Sequence, residues 1–223
     1  MTHLLVDLDD TLYSYAPAAH AAEAVAFARV ASDTGVAEAD VRAAFSHARK
    51  AVKARLGATG SAHSRLLYFA ELAHALGRVD RLDRVRSWDR AYWSAFLETA
   101  TLRAGALDLL RGVRARGGKV AIVSDLTLEI QLWKLEHFGL ASHVDALVIS
   151  EEVPADKPRP EAFMLAMTRL GGVRAEDCVM VGDADDKDGA GARALGIRYF
   201  KVDTGDGDGE SLVTIARKLG EAR

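Results

Sequence analysis

Two aspartates two positions apart, Asp7 and Asp9, follow the short strand-like run 3–6 near the start of the chain. A carboxylate can attack phosphorus and form an acyl-phosphate, while a second carboxyl can protonate the leaving group and later accept a proton from water. One aspartate cannot fill both roles, so the pair predicts a reaction site. The alternative interpretation is an acidic turn, with Asp9 and Asp10 as cap residues before a helix.

Further polar side chains follow other apolar runs that are typical of buried strands: Ser124, Asp125, Lys157, Asp183 and Asp188. In open parallel sheets ligands bind at the carboxyl ends of the strands. Each residue alone also has a structural interpretation, with Ser124 as a helix cap, Lys157 as a loop lysine and Asp183 as a turn residue. Their coincidence at successive strand ends favours one common site.

The elements that must position these residues alternate from about residue 102 onward. Apolar runs predict strands over 119–123, 146–149, 178–182 and 198–202, and helical periodicity predicts helices over 107–116, 128–138, 160–170, 187–195 and 212–219. Such alternation is typical of a parallel sheet with right-handed crossovers and helices on both faces. We therefore predict an α/β fold with a Rossmann-like parallel sheet.

The segment from about residue 16 to 98 has helical patterns only. Apolar residues recur at helical spacing in four stripes, and Gly35, the Gly-rich break 57–60 and Gly77 separate them. Four such stripes predict a small helical bundle inserted into the α/β fold. The predicted units are residues 1–14 with 100–223, and residues 15–99.

Composition excludes several classes of function. The 223 residues are 49% hydrophobic and carry a net charge of −3. No basic stripe indicates nucleic acid, and no long apolar span indicates a membrane protein. The start of the chain lacks a signal-peptide pattern, and the single cysteine, Cys178, excludes an internal disulfide, so we expect a cytoplasmic protein. The histidines show no zinc-ligand spacing.

The polar residues resemble the four motifs of the haloacid dehalogenase-like hydrolase superfamily, in order and along the whole chain. The matching segments are Asp7-Leu8-Asp9-Asp10-Thr11, Ser124, Lys157, and Gly182-Asp183 with Asp188. The helical insertion after the first motif resembles the cap module of one subfamily. Residues 131–135 and 177–183 are similar to the branch that holds nucleotidases and acylneuraminate 9-phosphatases.

The resemblance implies that Asp7 is the nucleophile and Asp9 the general acid and base. It also implies a Mg²⁺ ion held by the Asp7 carboxylate, the Asp9 backbone carbonyl and the Asp183 carboxylate, which are the hard oxygen ligands that Mg²⁺ prefers. Thr11 would support the first motif, and Asp188 would orient Lys157 or a metal-bound water.

The resemblance further implies a phosphate pocket formed by Ser124, Asp125 and Lys157. Asp125 departs from the asparagine that many members of the branch have, and a carboxylate there would repel phosphate. We expect Asp125 to cap the helix that begins near Thr127; the alternatives are that it turns away or pairs with a cation.

The function implied is hydrolysis of a small phosphorylated metabolite, because dehalogenases and phosphonate-cleaving members lack an acid at the position of Asp9. We expect a monomer or a homodimer. The alternatives are a sugar phosphomutase with the same residues, or an inactive binding protein. Fold and motifs do not identify the substrate. Near the central break of the insertion, Arg55, His63 and Arg65 are candidates for leaving-group contacts, or solvated residues.

Overall fold

The computed structural model describes residues 1–205 and 207–221. The chain folds into two compact units, one formed by Met1–Ser14 together with the chain from Thr101 onward, the other by Tyr15–Ala100. The first unit contains the sheet and the second is helical. In the described part of the chain no helix is both long and apolar enough to cross a bilayer.

The strands are β1 (His3–Val6), β2 (Val120–Ser124), β3 (Ala146–Ile149), β4 (Cys178–Gly182) and β5 (Arg198–Lys201). The helices are α1 (Tyr15–Thr34), α2 (Glu38–Leu56), α3 (Arg65–Ala75), α4 (Val85–Thr99), α5 (Ala106–Ala115), α6 (Leu128–His137), α7 (Glu161–Arg169), α8 (Ala190–Ala194) and α9 (Leu212–Glu221). The strands pair in parallel in the order β3-β2-β1-β4-β5. The predicted fold class is confirmed.

The central strand β1 is fully buried from Leu4 to Val6, which have no exposed surface. Strands covered by helices on both faces are continuously apolar in this way. Val6 lies opposite Ile122 of β2 and Val181 of β4, so β2 runs two residues and β4 one residue beyond the end of β1. From β1 the strand order continues to β2 and β3 on one side and to β4 and β5 on the other. The crevice of such folds forms at the carboxyl end of the sheet where the strand order changes direction.

The helical unit is built around aromatic side chains. Phe45 packs against Phe27 and Phe69 with ring centroids about 5 Å apart, and Trp88 packs edge-on to Phe69. The Trp88 indole also donates a 2.8 Å hydrogen bond to Asp33. The helices α1, α2 and α3 end next to the glycine breaks that the sequence analysis used to separate them.

One predicted helix has a different form. Instead of a single helix over 187–195, a π-helical turn at Asp185–Gly189 precedes the short α8. The Asp188 carboxylate accepts a hydrogen bond from the Ala184 N–H at 3.3 Å. A Cβ on Gly182 would lie 2.2 Å from Asp188 Oδ2, so this carboxylate reaches the sheet only because position 182 is glycine. Such π-helical turns occur frequently at functional sites.

Candidate active site

The carboxyl edge of the sheet carries the predicted polar residues. The residues that end or follow the three central strands are Asp7, Asp9, Ser124, Asp125 and Asp183. Lys157 lies in the loop between β3 and α7, and Asp188 lies in the π-helical turn after β4. Hydrogen bonds join most of these residues directly.

Lys157 is the charged centre of the site. Its Nζ donates to Asp7 Oδ1 at 2.7 Å, to Asp188 Oδ1 at 2.6 Å and to the Val123 carbonyl at 3.0 Å, and 3% of its side chain is exposed. These acceptors use all three protons of the ammonium group. Burial disfavours the charge, but Asp188 and Asp7 outweigh burial and raise the pKa of Lys157 well above its usual value. Lys157 is therefore a fixed cation.

Thr11 joins the ends of β1 and β4. Its hydroxyl lies 3.2 Å from Asp7 Oδ2 and 3.1 Å from Asp183 Oδ1, and it accepts the Asp183 N–H at 3.0 Å. Because a hydroxyl has one proton, Thr11 can donate to only one of the two carboxylates at a time. The buried threonine thus holds two carboxylates in place without neutralising either.

Three carboxylates of this edge are close enough to share a cation. Asp7, Asp183 and Asp188 each offer an oxygen within 4.8 Å of the others. Burial, with repulsion from Asp188 and Asp9 against the attraction of Lys157, raises the pKa of Asp7 to about 7. Burial and the Asp7 charge raise the pKa of Asp183 to about 6. One lysine leaves this group with excess negative charge, and hard oxygen donors fit a divalent cation such as Mg²⁺.

The Asp9 carboxylate belongs to a separate cluster. Its Oδ1 accepts from Lys134 Nζ at 2.6 Å and from the Tyr13 hydroxyl, and its Oδ2 accepts from Gln131 Nε2 at 3.2 Å. Burial opposes ionisation, but the Lys134 charge and the three donors outweigh it and lower the pKa of Asp9. Asp9 is therefore an oriented carboxylate in this arrangement.

Gln131 and Lys134 are residues to which the sequence analysis assigned no role at the site. Both lie on α6 and are fully buried, and Gln131 Nε2 also donates to Ser124 Oγ at 2.9 Å. One helix thus connects Asp9, three residues after the end of β1, with Ser124, the last residue of β2. A signal was present in the sequence, because these two polar residues share the buried stripe of α6 with Ile130 and Leu135.

The prediction that Asp125 caps the following helix is wrong. Its Oδ1 accepts the backbone N–H of Lys157 at 3.1 Å, and its Oδ2 accepts from Lys187 Nζ at 2.9 Å. Glu151 instead binds the first N–H of α6, that of Leu128, at 2.8 Å. Asp125 has the cation partner that was left open as an alternative, because the loop after β4 brings a lysine to it. The Lys187 ammonium offsets the negative charge of Asp125.

The backbone after β2 is strained. Leu126, between Asp125 and α6, has φ 136°, which side-chain-bearing residues rarely adopt. Its N–H donates to Ser150 Oγ at 3.2 Å, which helps to hold this conformation. Strained residues of this kind cluster at active sites and ligand clamps. Ser124, two residues earlier, is itself buried.

The three candidates in the helical unit have different surroundings. Arg55 pairs with Glu71 at 2.8 Å while 58% of its side chain is exposed, which is an ordinary surface ion pair. Arg65 lies among aromatic rings and donates to the His63 carbonyl at 2.8 Å. Of the three, Arg65 lines a cavity of the helical unit.

Comparison with known proteins identifies the family of this chain. The sequence model of the haloacid dehalogenase-like hydrolases matches residues 1–196. The ribulose-1,5-bisphosphate 5-phosphatase of Halopiger xanaduensis is 37% identical over 91% of this chain and 84% of its own length. A glyceraldehyde 3-phosphate phosphatase of Methanocaldococcus jannaschii is 29% identical over 89% of this chain and 83% of its own.

The fold is also found among solved structures. A haloacid dehalogenase-like phosphatase from Thermococcus onnurineus superposes with a TM-score of 0.74, covering all of both chains at 21% sequence identity. At this identity the likeness concerns the fold alone.

Proposed function

The chain belongs to the haloacid dehalogenase-like hydrolases, and we propose that it hydrolyses phosphomonoesters of small metabolites through a covalent intermediate on Asp7. The observation that carries this proposal is the contact of the buried Asp7 carboxylate with the Lys157 ammonium at 2.7 Å, at the carboxyl edge of the sheet. A carboxylate attacks an anionic phosphate only where cations offset the repulsion.

In the first step an Asp7 oxygen forms a bond to phosphorus while the bond from phosphorus to the ester oxygen breaks. Lys157 holds Asp7 in position and supplies positive charge to the phosphate oxygens, and Asp188 holds the lysine. Ser124 donates to a phosphate oxygen. Asp125 supports the pocket through its bonds to the Lys157 backbone and to Lys187.

Asp9 transfers the proton in both steps. It protonates the departing ester oxygen in the first step, and as the carboxylate it then takes a proton from the water that attacks the Asp7 acyl-phosphate. The water oxygen forms a bond to phosphorus while the bond from Asp7 to phosphorus breaks, which releases inorganic phosphate and restores the Asp7 carboxylate. The lowered pKa of Asp9 provides the form that the second step needs. The first step needs the protonated form, which requires release of its contact with Lys134.

The site also suits a metal ion. Mg²⁺, bound by the carboxylates of Asp7 and Asp183 and the backbone carbonyl of Asp9, would offset the negative charge that accumulates when phosphate enters. We do not assign Asp188 as a metal ligand, because one of its oxygens already accepts a hydrogen bond from Lys157 at 2.6 Å. Thr11 keeps Asp7 and Asp183 together.

For the substrate we propose a small phosphorylated sugar or sugar acid. The support is that two relatives matching most of the chain are phosphatases of ribulose 1,5-bisphosphate and of glyceraldehyde 3-phosphate. A cytoplasmic location and a monomeric or homodimeric state remain predictions.

The test is release of inorganic phosphate from a panel of phosphorylated sugars, sugar acids and nucleotides. We expect Mg²⁺-dependent release from the small esters, and loss of roughly 10⁴-fold or more in Asp7→Asn because the nucleophile is removed. Asp186→Asn is the matched control, since it makes the same chemical change at an exposed aspartate of the π-helical turn.

Two results would contradict the proposal. Conversion of a sugar phosphate to its isomer without phosphate release would show a phosphomutase. Equal activity of Asp7→Asn and Asp186→Asn would show that Asp7 is not the nucleophile.

A further inference from the structure

The helical unit contains a cavity of about 180 Å³ that all four of its α-helices line. Its wall includes the aromatic side chains of Tyr15, Tyr68 and Tyr92 and the charged side chains of Glu23, Arg49 and Arg65. At roughly 30 Å³ for each water, the space corresponds to about six waters. A phosphate or a carboxylate on a short carbon chain fits such a volume.

Arg65 is held rigidly in this wall. Its guanidinium carbon lies 5.5 to 5.8 Å from the ring centroids of Tyr15, Tyr68, Tyr92 and Trp93. It donates to the His63 carbonyl at 2.8 Å and to the Tyr15 hydroxyl, and it also bonds Tyr92. A guanidinium has five N–H donors, so donors remain for a ligand.

The positive charge of the wall has no carboxylate partner. Among the residues described by the structure, neither Arg49 nor Arg65 forms an ion pair with aspartate or glutamate, and Arg49 bonds the Tyr68 hydroxyl. The one acidic residue of the wall, Glu23, lies 3.7 Å from Arg42. Other arginines of the same unit pair with carboxylates, as Arg55 does with Glu71.

Two arginines that line one cavity without a carboxylate partner are suited to an anion. The guanidinium fork matches carboxylate and phosphate oxygens in pairs, and the aromatic rings limit competition from water. We propose that this cavity of the helical unit binds the phosphate or carboxylate group of a small molecule. The group belongs either to the ester being hydrolysed, as its second anionic group, or to a separate molecule; the first case rests on the proposed function.

Binding is measured on the full chain with Trp133→Phe as background, so that the remaining tryptophans, Trp88 and Trp93, both report from the helical unit. The probes are inorganic phosphate and succinate, in buffer with a chelator so that the metal site does not contribute, and glycerol is the neutral control. We expect saturable fluorescence changes with both anions and none with glycerol.

The decisive variant is Arg49→Gln, because its exposed side chain can be changed without disturbing the aromatic packing. We expect its affinity for both anions to fall about tenfold or more, as for loss of a charge-assisted hydrogen bond. Arg55→Gln, a change of the same kind outside the cavity, should bind as the background does. Arg65→Lys gives a second variant that keeps the charge and loses the fork. No saturable binding in the background protein, or equal binding in Arg49→Gln and Arg55→Gln, would overturn the proposal.

The two sources of the anion are separated by turnover. Glycerol 3-phosphate and 3-phosphoglycerate differ by a carboxylate. If the anion is part of the substrate, Arg49→Gln lowers kcat/KM for 3-phosphoglycerate about tenfold and leaves that for glycerol 3-phosphate unchanged. If both esters respond alike while anion binding is lost, the cavity binds a separate molecule. Anion binding by a chain that hydrolyses no ester would support the cavity and refute the proposed function.

Discussion

The two units of this protein differ in how their enclosed or partly enclosed positive charges are partnered. At the carboxyl edge of the sheet, each buried lysine is paired: Lys157 with Asp7 and Asp188, and Lys134 with Asp9. In the helical unit, Arg65 lies among aromatic rings and pairs with no carboxylate of the described chain. In the first arrangement every buried lysine has a carboxylate partner, and the carboxylates outnumber the lysines. The second has positive charge without a carboxylate partner among the described residues, which is the basis of the proposed anion site.

This difference indicates how the two units divide the task of recognition. The phosphoryl group is the same in every substrate of such an enzyme, and the divalent cation does not change with the substrate. Fixed charges at the ends of rigid strands can therefore bind both. The rest of the substrate varies, and a cavity between helices can change by single substitutions. We expect mutations at the carboxyl edge of the sheet to slow hydrolysis of all substrates. Mutations of the cavity should slow hydrolysis of some substrates only, or have little effect.

The largest effect is expected from Lys157→Met. The substitution leaves Asp7 and Asp188 buried without their cation, and breaking a buried pair costs about 3 to 5 kcal/mol. Activity towards every ester should also fall by about 10²-fold or more, because positive charge is removed from the phosphate site. Urea unfolding and phosphate release measure the two effects.

The control for Lys157→Met is Lys187→Met. The Lys187 ammonium pairs with Asp125 at 2.9 Å, but 38% of its side chain is exposed. We expect its free energy of unfolding to fall by clearly less than that of Lys157→Met, because Lys187 is partly solvated and Asp125 keeps its bond from the Lys157 N–H. If the two variants lost equal stability, the contrast between balanced and exposed charge would not hold.

A smaller effect is expected from Lys134→Met. Asp9 would keep Tyr13 and Gln131 but lose its 2.6 Å contact with the ammonium, so its orientation would be less well fixed. We expect kcat to fall roughly 10- to 100-fold for alkyl and nitrophenyl phosphates alike, because the carboxylate form of Asp9 that Lys134 favours activates water in the step common to all esters.

Lys134→Arg should restore part of this loss, because it keeps a cation beside Asp9. Glu136→Gln, on the exposed side of the same helix, is the matched control. An unchanged kcat together with a lower free energy of unfolding would indicate that Lys134 serves folding alone.

The metal-free protein should be sensitive to pH through Asp7 and Asp183. Their pKa values of about 7 and about 6 lie above the usual value near 3.8, so the folded state binds more protons than the unfolded state between about pH 4 and pH 7. Their contribution to stability is therefore fully present below pH 4 and is lost as the pH rises through 6 to 7.

Mg²⁺ competes with those protons. We expect Mg²⁺ to raise Tm by a few degrees at pH 8 and by much less at pH 5, since binding to the folded state alone stabilises it. Thermal unfolding with Mg²⁺ and with a chelator measures the difference. A larger shift at pH 5 than at pH 8 would contradict a site formed by these two carboxylates.

The smallest effect is expected for the stability of Arg49→Gln. Removing an exposed cation that has no carboxylate partner should change the free energy of unfolding by less than about 1 kcal/mol. Urea unfolding of Arg49→Gln and of Lys157→Met under the same conditions measures the difference. A loss as large as that of Lys157→Met would remove the distinction between the two units.

Much of the architecture could be predicted from local sequence. Alternation of apolar runs and helical stripes indicated the parallel sheet, because strands covered on both faces must be apolar throughout. The glycine breaks separated the four helices of the insertion, since helices end where glycine adopts positive φ. The residues after the strands were identified for the same reason: parallel strands bring their carboxyl ends to one edge.

Other features depend on which side chains meet in space. The pairing of Asp9 with Lys134 joins residues 125 positions apart. The partner of Asp125 is Lys187, whose position follows from a π-helical turn that no periodicity predicts. The cavity around Arg65 requires four helices to bring their aromatic residues together. Sequence pattern therefore determined the fold and the residues at the strand ends, because burial and periodicity are local properties. Only the tertiary structure decided which charges are balanced, because electrostatic pairing depends on distances of a few ångströms between segments far apart in the chain.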